Sequence, residues 1–164
     1  MTSHEIPSYS IKNGSSIKAT SQDVYLQDKN VNIIQTMSGN ITGNNVTFRR
    51  LKSMSGDIEI NTGKGTEVSS ISGNITLRGV NVGYVSTTSG TLTLTSCDIS
   101  HLDLYNTNGY LNNTNIHTIE TDANYFVIPS GSNVQVVVFK YGGKVKSEDN
   151  KPITVINGIQ VSNQ

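Results

Sequence analysis

An intrachain disulfide is excluded at once, because the chain of 164 residues has a single cysteine, Cys97. Charge is also scarce: 12 basic and 12 acidic residues give a net charge of zero. That balance argues against a nucleic-acid or anionic-membrane partner. Proline is rare, with 3 residues, and only 34% of the chain is hydrophobic. No apolar run approaches the ~18 residues that a membrane helix needs. The longest such cluster is Val136–Phe139. The opening residues Met1–Ser10 lack the basic and apolar regions of a secretory signal peptide. These absences together predict a cytoplasmic protein, with an unconventional export route as the alternative.

The residues that are abundant are Gly, Asn, Thr and Ser, a mixture suited to short strands and tight turns. The dipeptide Ser-Gly recurs every 17 residues, at Ser38, Ser55, Ser72 and Ser89. A fixed internal period decides the architecture before any other feature does. Six units span 21–37, 38–54, 55–71, 72–88, 89–105 and 106–122. Apolar residues fill positions four, six, nine, eleven and fourteen of the unit. Position four holds Val24, Ile41, Ile58, Ile75 and Leu92; position fourteen holds Ile34, Leu51, Val68, Val85, Leu102 and Ile119. Spacings of two are the strand period, and spacings of three carry the chain round a corner.

A unit this small buries its apolar face only by stacking on its neighbours. The pattern therefore predicts an all-β, single-domain, three-sided, right-handed parallel β-solenoid of 17-residue coils. Six coils at ~4.8 Å make a rod about 29 Å long. Residues 1–20 read as an N-terminal cap, 21–122 as the six coils, and 123–164 as irregular coils ending in a cap. In the last part, Tyr125–Ile128, Val134–Phe139, Pro152–Ile156 and Gly158–Val161 read as strands and Tyr141–Lys144 as a hairpin or corner. Lys140, Lys144, Lys146 and Lys151 flank the most aggregation-prone strand.

The Ser-Gly glycines are expected to supply positive φ at a corner. Position three, with Asp23, Asn40, Asp57 and Asn74, is expected to stabilise turns or form an amide ladder. Calcium binding is the alternative for this column.

Phrases such as Gly56-Asp-Ile-Glu-Ile and Gly73-Asn-Ile-Thr-Leu, the latter preceded by Val68-Ser-Ser-Ile-Ser, resemble the repeats of the bacterial adhesin-type family of β-solenoids. The resemblance covers roughly residues 30–122. It implies a β-solenoid, and it carries no catalytic residues. The family's label does not imply adhesive activity. A weaker resemblance is to bactofilins, triangular β-helices that polymerise end to end.

Candidate functional residues are few. Met37, Met54, Ile71 and Tyr105 share position seventeen and form a contact stripe if that column faces outward; a bulge at the corner turns it into core, the reading favoured here. Arg49, Arg50 and Lys52 make a local basic patch, read mainly as solvated surface. His101, Asp103 and His117 invite a metal or general-base reading, against ordinary exposed corner residues. Cys97 lies in an inward column, so it reads as a small buried hydrophobe. No pattern matches a hydrolase or a phosphate loop, and no cofactor is expected.

The function expected is a non-enzymatic structural or binding module that contacts a protein partner or copies of itself. The alternative is an adhesive or glycan-binding surface, with Tyr25 and Tyr110 sharing position five.

Overall fold

A computed structural model describes residues 5–107 and 109–158. The chain is an all-β, parallel β-solenoid of about nine turns, about 65% strand. Among the described residues the only helical turn is a short 3-10 segment, Ser8–Ser10. Four coils run as nearly unbroken strands, Asp23–Thr36, Ile41–Ser53, Ile58–Ser70 and Ile75–Thr87. The next two coils divide, into Leu92–Thr95 with Asp98–Leu104 and Gly109–Asn112 with Asn115–Thr121. All pairing is parallel, and the register repeats the sequence period: Val24 lies beside Ile41, Ile41 beside Ile58, Ile58 beside Ile75, and Ile75 beside Leu92.

The apolar columns stack into one core that reaches from Ile11 to Phe139. Positions four, six, nine, eleven and fourteen point inward wherever they hold an apolar residue in the six coils. Each buried Ile, Leu or Val contributes about 1.5–3 kcal/mol. One exception shows how the columns compensate. Gly65 stands where its neighbours carry Phe48 and Val82, and the Phe48 ring fills the vacancy; a Cβ on Gly65 would lie 2.0 Å from Phe48 Cε1. Cys97 is buried, with its Sγ 3.2 Å from the Leu77 carbonyl. Burial raises its thiol pKa, which keeps it protonated and unreactive.

The ends continue the coils. Residues expected to cap the N-terminus add another rung: Glu5–Ile6 pairs with Asp23–Val24, and Ile17–Ala19 with Ile34–Thr36. Beyond 122 two more coils follow, built from Tyr125–Ile128 with Asn133–Phe139, and Lys144–Ser147 with Thr154–Asn157. Here the spacing opens: Asn115 pairs with Asn133, and Tyr125 with Lys144. Tyr141–Lys144 is a coil corner rather than a hairpin, with Gly142 at φ +85° and the flanking strands in parallel sheets. The strand expected at Gly158–Val161 and the terminal cap fall largely on 159–164, outside the described residues, as do His4 and Asn108.

Two corners differ from expectation in an instructive way. The Ser-Gly glycines are not in the left-handed region. They are required because the backbone of one coil presses on the next. A Cβ on Gly56 would lie 1.9 Å from the Gly39 carbonyl oxygen, and one on Gly73 would lie 1.9 Å from that of Gly56. The left-handed residue sits elsewhere, at position eight. Asp28, Asn45, Thr62, Gly79, Ser96 and Asn113 all have φ between +46° and +65°. Asn, Asp and Gly accept this conformation readily; Thr62 and Ser96 hold it at a cost in strain.

Position three stitches coils together. Asp23 Oδ1 accepts the Asn40 N–H at 2.8 Å, Asn40 Oδ1 that of Asp57 at 2.9 Å, Asp57 Oδ1 that of Asn74 at 2.8 Å, and Asn74 Oδ1 that of Thr91 at 2.9 Å. The side chains thus bond the next coil's backbone, not their own turn. The amide ladder forms at position ten instead: Asn133 Nδ2 donates to Asn115 Oδ1 at 2.6 Å, and Asn115 Nδ2 to Asp98 Oδ1 at 3.0 Å. Lys151 Nζ donates to Asn133 Oδ1 and completes the row.

Two outcomes follow for thermal unfolding. Gly73→Ala forces two coils apart and lowers stability by ~3 kcal/mol, or roughly 6–12 °C at this chain length; Gly79→Asn leaves the midpoint unchanged or raises it. Asp57→Ala costs about 1 kcal/mol through its lost acceptor, whereas Asp57→Asn keeps the bond and the stability. A calcium titration that raised the midpoint of the native chain, and not of Asp57→Asn, would restore the metal reading of that column.

Candidate interaction surfaces

Strict alternation after position fourteen decides where the stripe points. Position sixteen faces inward, with Thr36, Ser53, Ser70 and Thr87 buried. Position seventeen therefore faces out, which corrects the expectation that it is core. Met37, Met54 and Ile71 are 51%, 47% and 51% exposed. They stand on three successive coils and form a continuous apolar row. Thr88 ends the row, and Tyr105 is set apart from it, half-buried beneath Lys140, whose Nζ lies 4.0 Å above the ring.

Small hydroxyl residues make the inward column possible. Thr36 Oγ1 donates to the Gly39 carbonyl at 2.6 Å, and Ser70 Oγ accepts the Gly73 N–H at 2.9 Å. These bonds hold the corner beneath the exposed row. Thr87 Oγ1 is buried without a hydrogen-bond partner among the described residues. Beside the row lies a groove of about 340 Å³ whose lining includes Lys52, Met54, Glu67, Ile71 and Tyr84.

The basic patch is divided by geometry. Arg50 Nε lies 3.2 Å from Glu67 Oε1 on the next coil, so one of the three cations is paired. Arg49 stands before it at the corner, exposed, and Lys52 faces the groove. Arg78 Nη1 pairs with Glu59 Oε2 at 2.9 Å. Exposed pairs of this kind contribute little to stability; they do reduce the local positive field.

His101 and Asp103 come together with groups that sequence spacing did not single out. Tyr84 stacks on His101, with ring centroids 5.4 Å apart. Its hydroxyl donates to Asp103 Oδ2 at 3.0 Å, and His101 Nε2 lies 3.6 Å from Glu120 Oε1. Burial, above all, raises the Tyr84 pKa. His117 stays apart, with Nδ1 2.7 Å from Thr118 Oγ1. No cluster of three His, Cys, Asp or Glu side chains suited to a metal ion forms among the described residues. No described helix is long and apolar enough to cross a membrane.

Tyr25 and Tyr110, the position-five pair, are both exposed. Tyr110 borders a crevice of about 350 Å³ that it shares with Gly109, Ala123, Tyr125, Phe126 and Val127. The sequence reading missed this crevice. Its signal is an exchange of sizes: Gly109 occupies position four, where other coils carry Val, Ile or Leu, and Leu104 occupies position sixteen, where the preceding coils carry Thr or Ser. A Cβ on Gly109 would meet Leu104 Cδ1 at 3.1 Å, so the leucine fills the core in place of the missing side chain.

Comparison with protein-family models, with curated proteins and with solved structures finds no match to this chain.

Thr87→Val tests the hydroxyl column. Removing an unsatisfied buried hydroxyl while keeping its shape raises stability by about 1 kcal/mol or more, whereas Thr36→Val, which breaks a made bond, lowers it. Paired thermal melts read the opposite signs.

Proposed function

We propose that this protein is a non-enzymatic structural or binding rod, and that its lateral row of Met37, Met54 and Ile71 is a protein-contact surface. The observation that carries this reading is the outward turn of that row. Three large apolar side chains are half-exposed at the coil spacing, on a molecule of zero net charge. Apolar patches of this kind mark interaction sites. A second copy of the chain is the simplest partner, because a straight row meets its own image across a two-fold axis. Support for the non-enzymatic part comes from the sequence, in which no pattern matches a hydrolase or a phosphate loop.

Light scattering on a size-exclusion column tests it. The expected result is a concentration-dependent dimer that Met54→Lys dissociates without lowering the melting temperature. A monomer at every concentration, with no capture of another protein by the rod, counts against the surface.

A glycan-binding, adhesive surface is the second reading. The exposed tyrosines Tyr25 and Tyr110 give it a physical basis, since aromatic faces stack on the apolar faces of sugars. A glycan array with no response removes it.

A further inference from the structure

Along one face of the solenoid each rung hydrogen-bonds to the next, from Val24–Gln27 through Leu92–Thr95 to Gly109–Asn112. Then the ladder stops. Among the described residues, Gly109–Asn112 pairs only with Leu92–Thr95. The next rung on this face, Tyr125–Ile128, pairs among the described residues only with Lys144–Ser147, in a separate two-stranded sheet. Both strands contribute walls to the same crevice of about 350 Å³. On the adjoining side the coils remain bonded, since Asn115–Thr121 pairs with Asn133–Phe139. The seam is therefore a local opening in an otherwise continuous stack.

We propose that this seam is a strand-acceptor site, which takes an extended peptide segment of a partner protein between Gly109–Asn112 and Tyr125–Ile128. The argument is one of matching donors and acceptors. A strand edge presents alternating N–H and C=O groups, and an extended peptide is the ligand that satisfies two such edges at once. Four-residue strands offer about 13 Å of edge.

The side chains suit that occupant. Gly109, Thr121 and Ala123 are small and let a backbone approach, while Tyr110, Tyr125 and Val127 stand exposed at 55%, 53% and 38% to flank its side chains. The lining carries no charge, so the segment it fits is uncharged and of mixed apolar and hydroxyl character, like the Leu92–Thr95 rung of this face.

The edges also lack the usual protection. Natural edge strands carry lysine, proline or charge to prevent pairing. Lys144–Ser147 has lysine at 144 and 146, whereas Gly109–Asn112 and Tyr125–Ile128 have none of these residues. This site shares no residue with the Met37–Met54–Ile71 row, which lies on earlier coils.

The probe is a fluorescent, end-blocked peptide that copies Ser89–Ser96 of this chain, a complete and uncharged rung of the same face. Anisotropy is expected to show saturable binding to the whole protein. The same peptide with Thr93→Pro loses a backbone donor, and its binding falls roughly tenfold or more. Hydrogen exchange is expected to show added amide protection in both Gly109–Asn112 and Tyr125–Ile128. Ala123→Arg, at an exposed position that tolerates it, abolishes binding while the melting temperature holds; Met54→Lys leaves binding unchanged. Absence of binding, equal binding of the proline peptide, or protection confined to other strands overturns the proposal. An oligosaccharide that protects the crevice where the peptide does not assigns the seam to a glycan and overturns it as well.

Discussion

Parallel backbone hydrogen bonding between successive coils is the constraint from which the rest of this structure follows. Strands held at ~4.8 Å leave a fixed gap at every corner. At the Ser-Gly corner the gap is too small for a Cβ against the carbonyl above, so glycine is forced by contact rather than by dihedral angle. At position eight the chain must reverse its local twist, so a left-handed residue recurs. Because identical positions lie over one another, one small choice is repeated in every coil. The Asp and Asn oxygens of position three each accept an N–H from the following coil, and the amides of position ten hand hydrogen bonds along the rod.

The same constraint explains which features were legible in the sequence. The 17-residue period, the inward columns and the Cys97 environment are properties of stacking, and stacking is periodic, so a pattern of residue types reveals them. The direction of the position-seventeen column was not legible, because it depends on whether the corner adds a residue. The structure adds none, and Met37, Met54 and Ile71 face out. The role of the Ser-Gly glycine was misread for a related reason: a sequence records that glycine is needed and does not say whether the need is conformational or steric. The terminal segments were harder still. Their spacing lengthens between Asn115 and Asn133 and again between Tyr125 and Lys144, so a fixed template loses register there.

The candidate surfaces divide along the rod. Early coils carry the apolar row and the charged pairs Arg50–Glu67 and Arg78–Glu59. Later coils carry aromatic residues, the stack of Tyr84 on His101 and the opened seam beside Tyr110. Regular coils therefore offer a repeated surface, and the departure from regularity at Gly109 and Leu104 offers a recess. In a repeat protein the site with individual chemistry is the place where the repeat is broken.

The split of the later coils has a further consequence for how the rod comes apart. A solenoid unit touches only its neighbours, so stability passes along it as through a chain of nearest-neighbour couplings. From Asp23 to Thr87 each coupling is a full strand of backbone bonds. At the seam one side of the coil is unpaired, and the backbone bonds that cross it run from residues 114–121 to residues 133–140. Fewer backbone bonds therefore cross the seam than join any two of the four unbroken coils, while the shared apolar core still spans it.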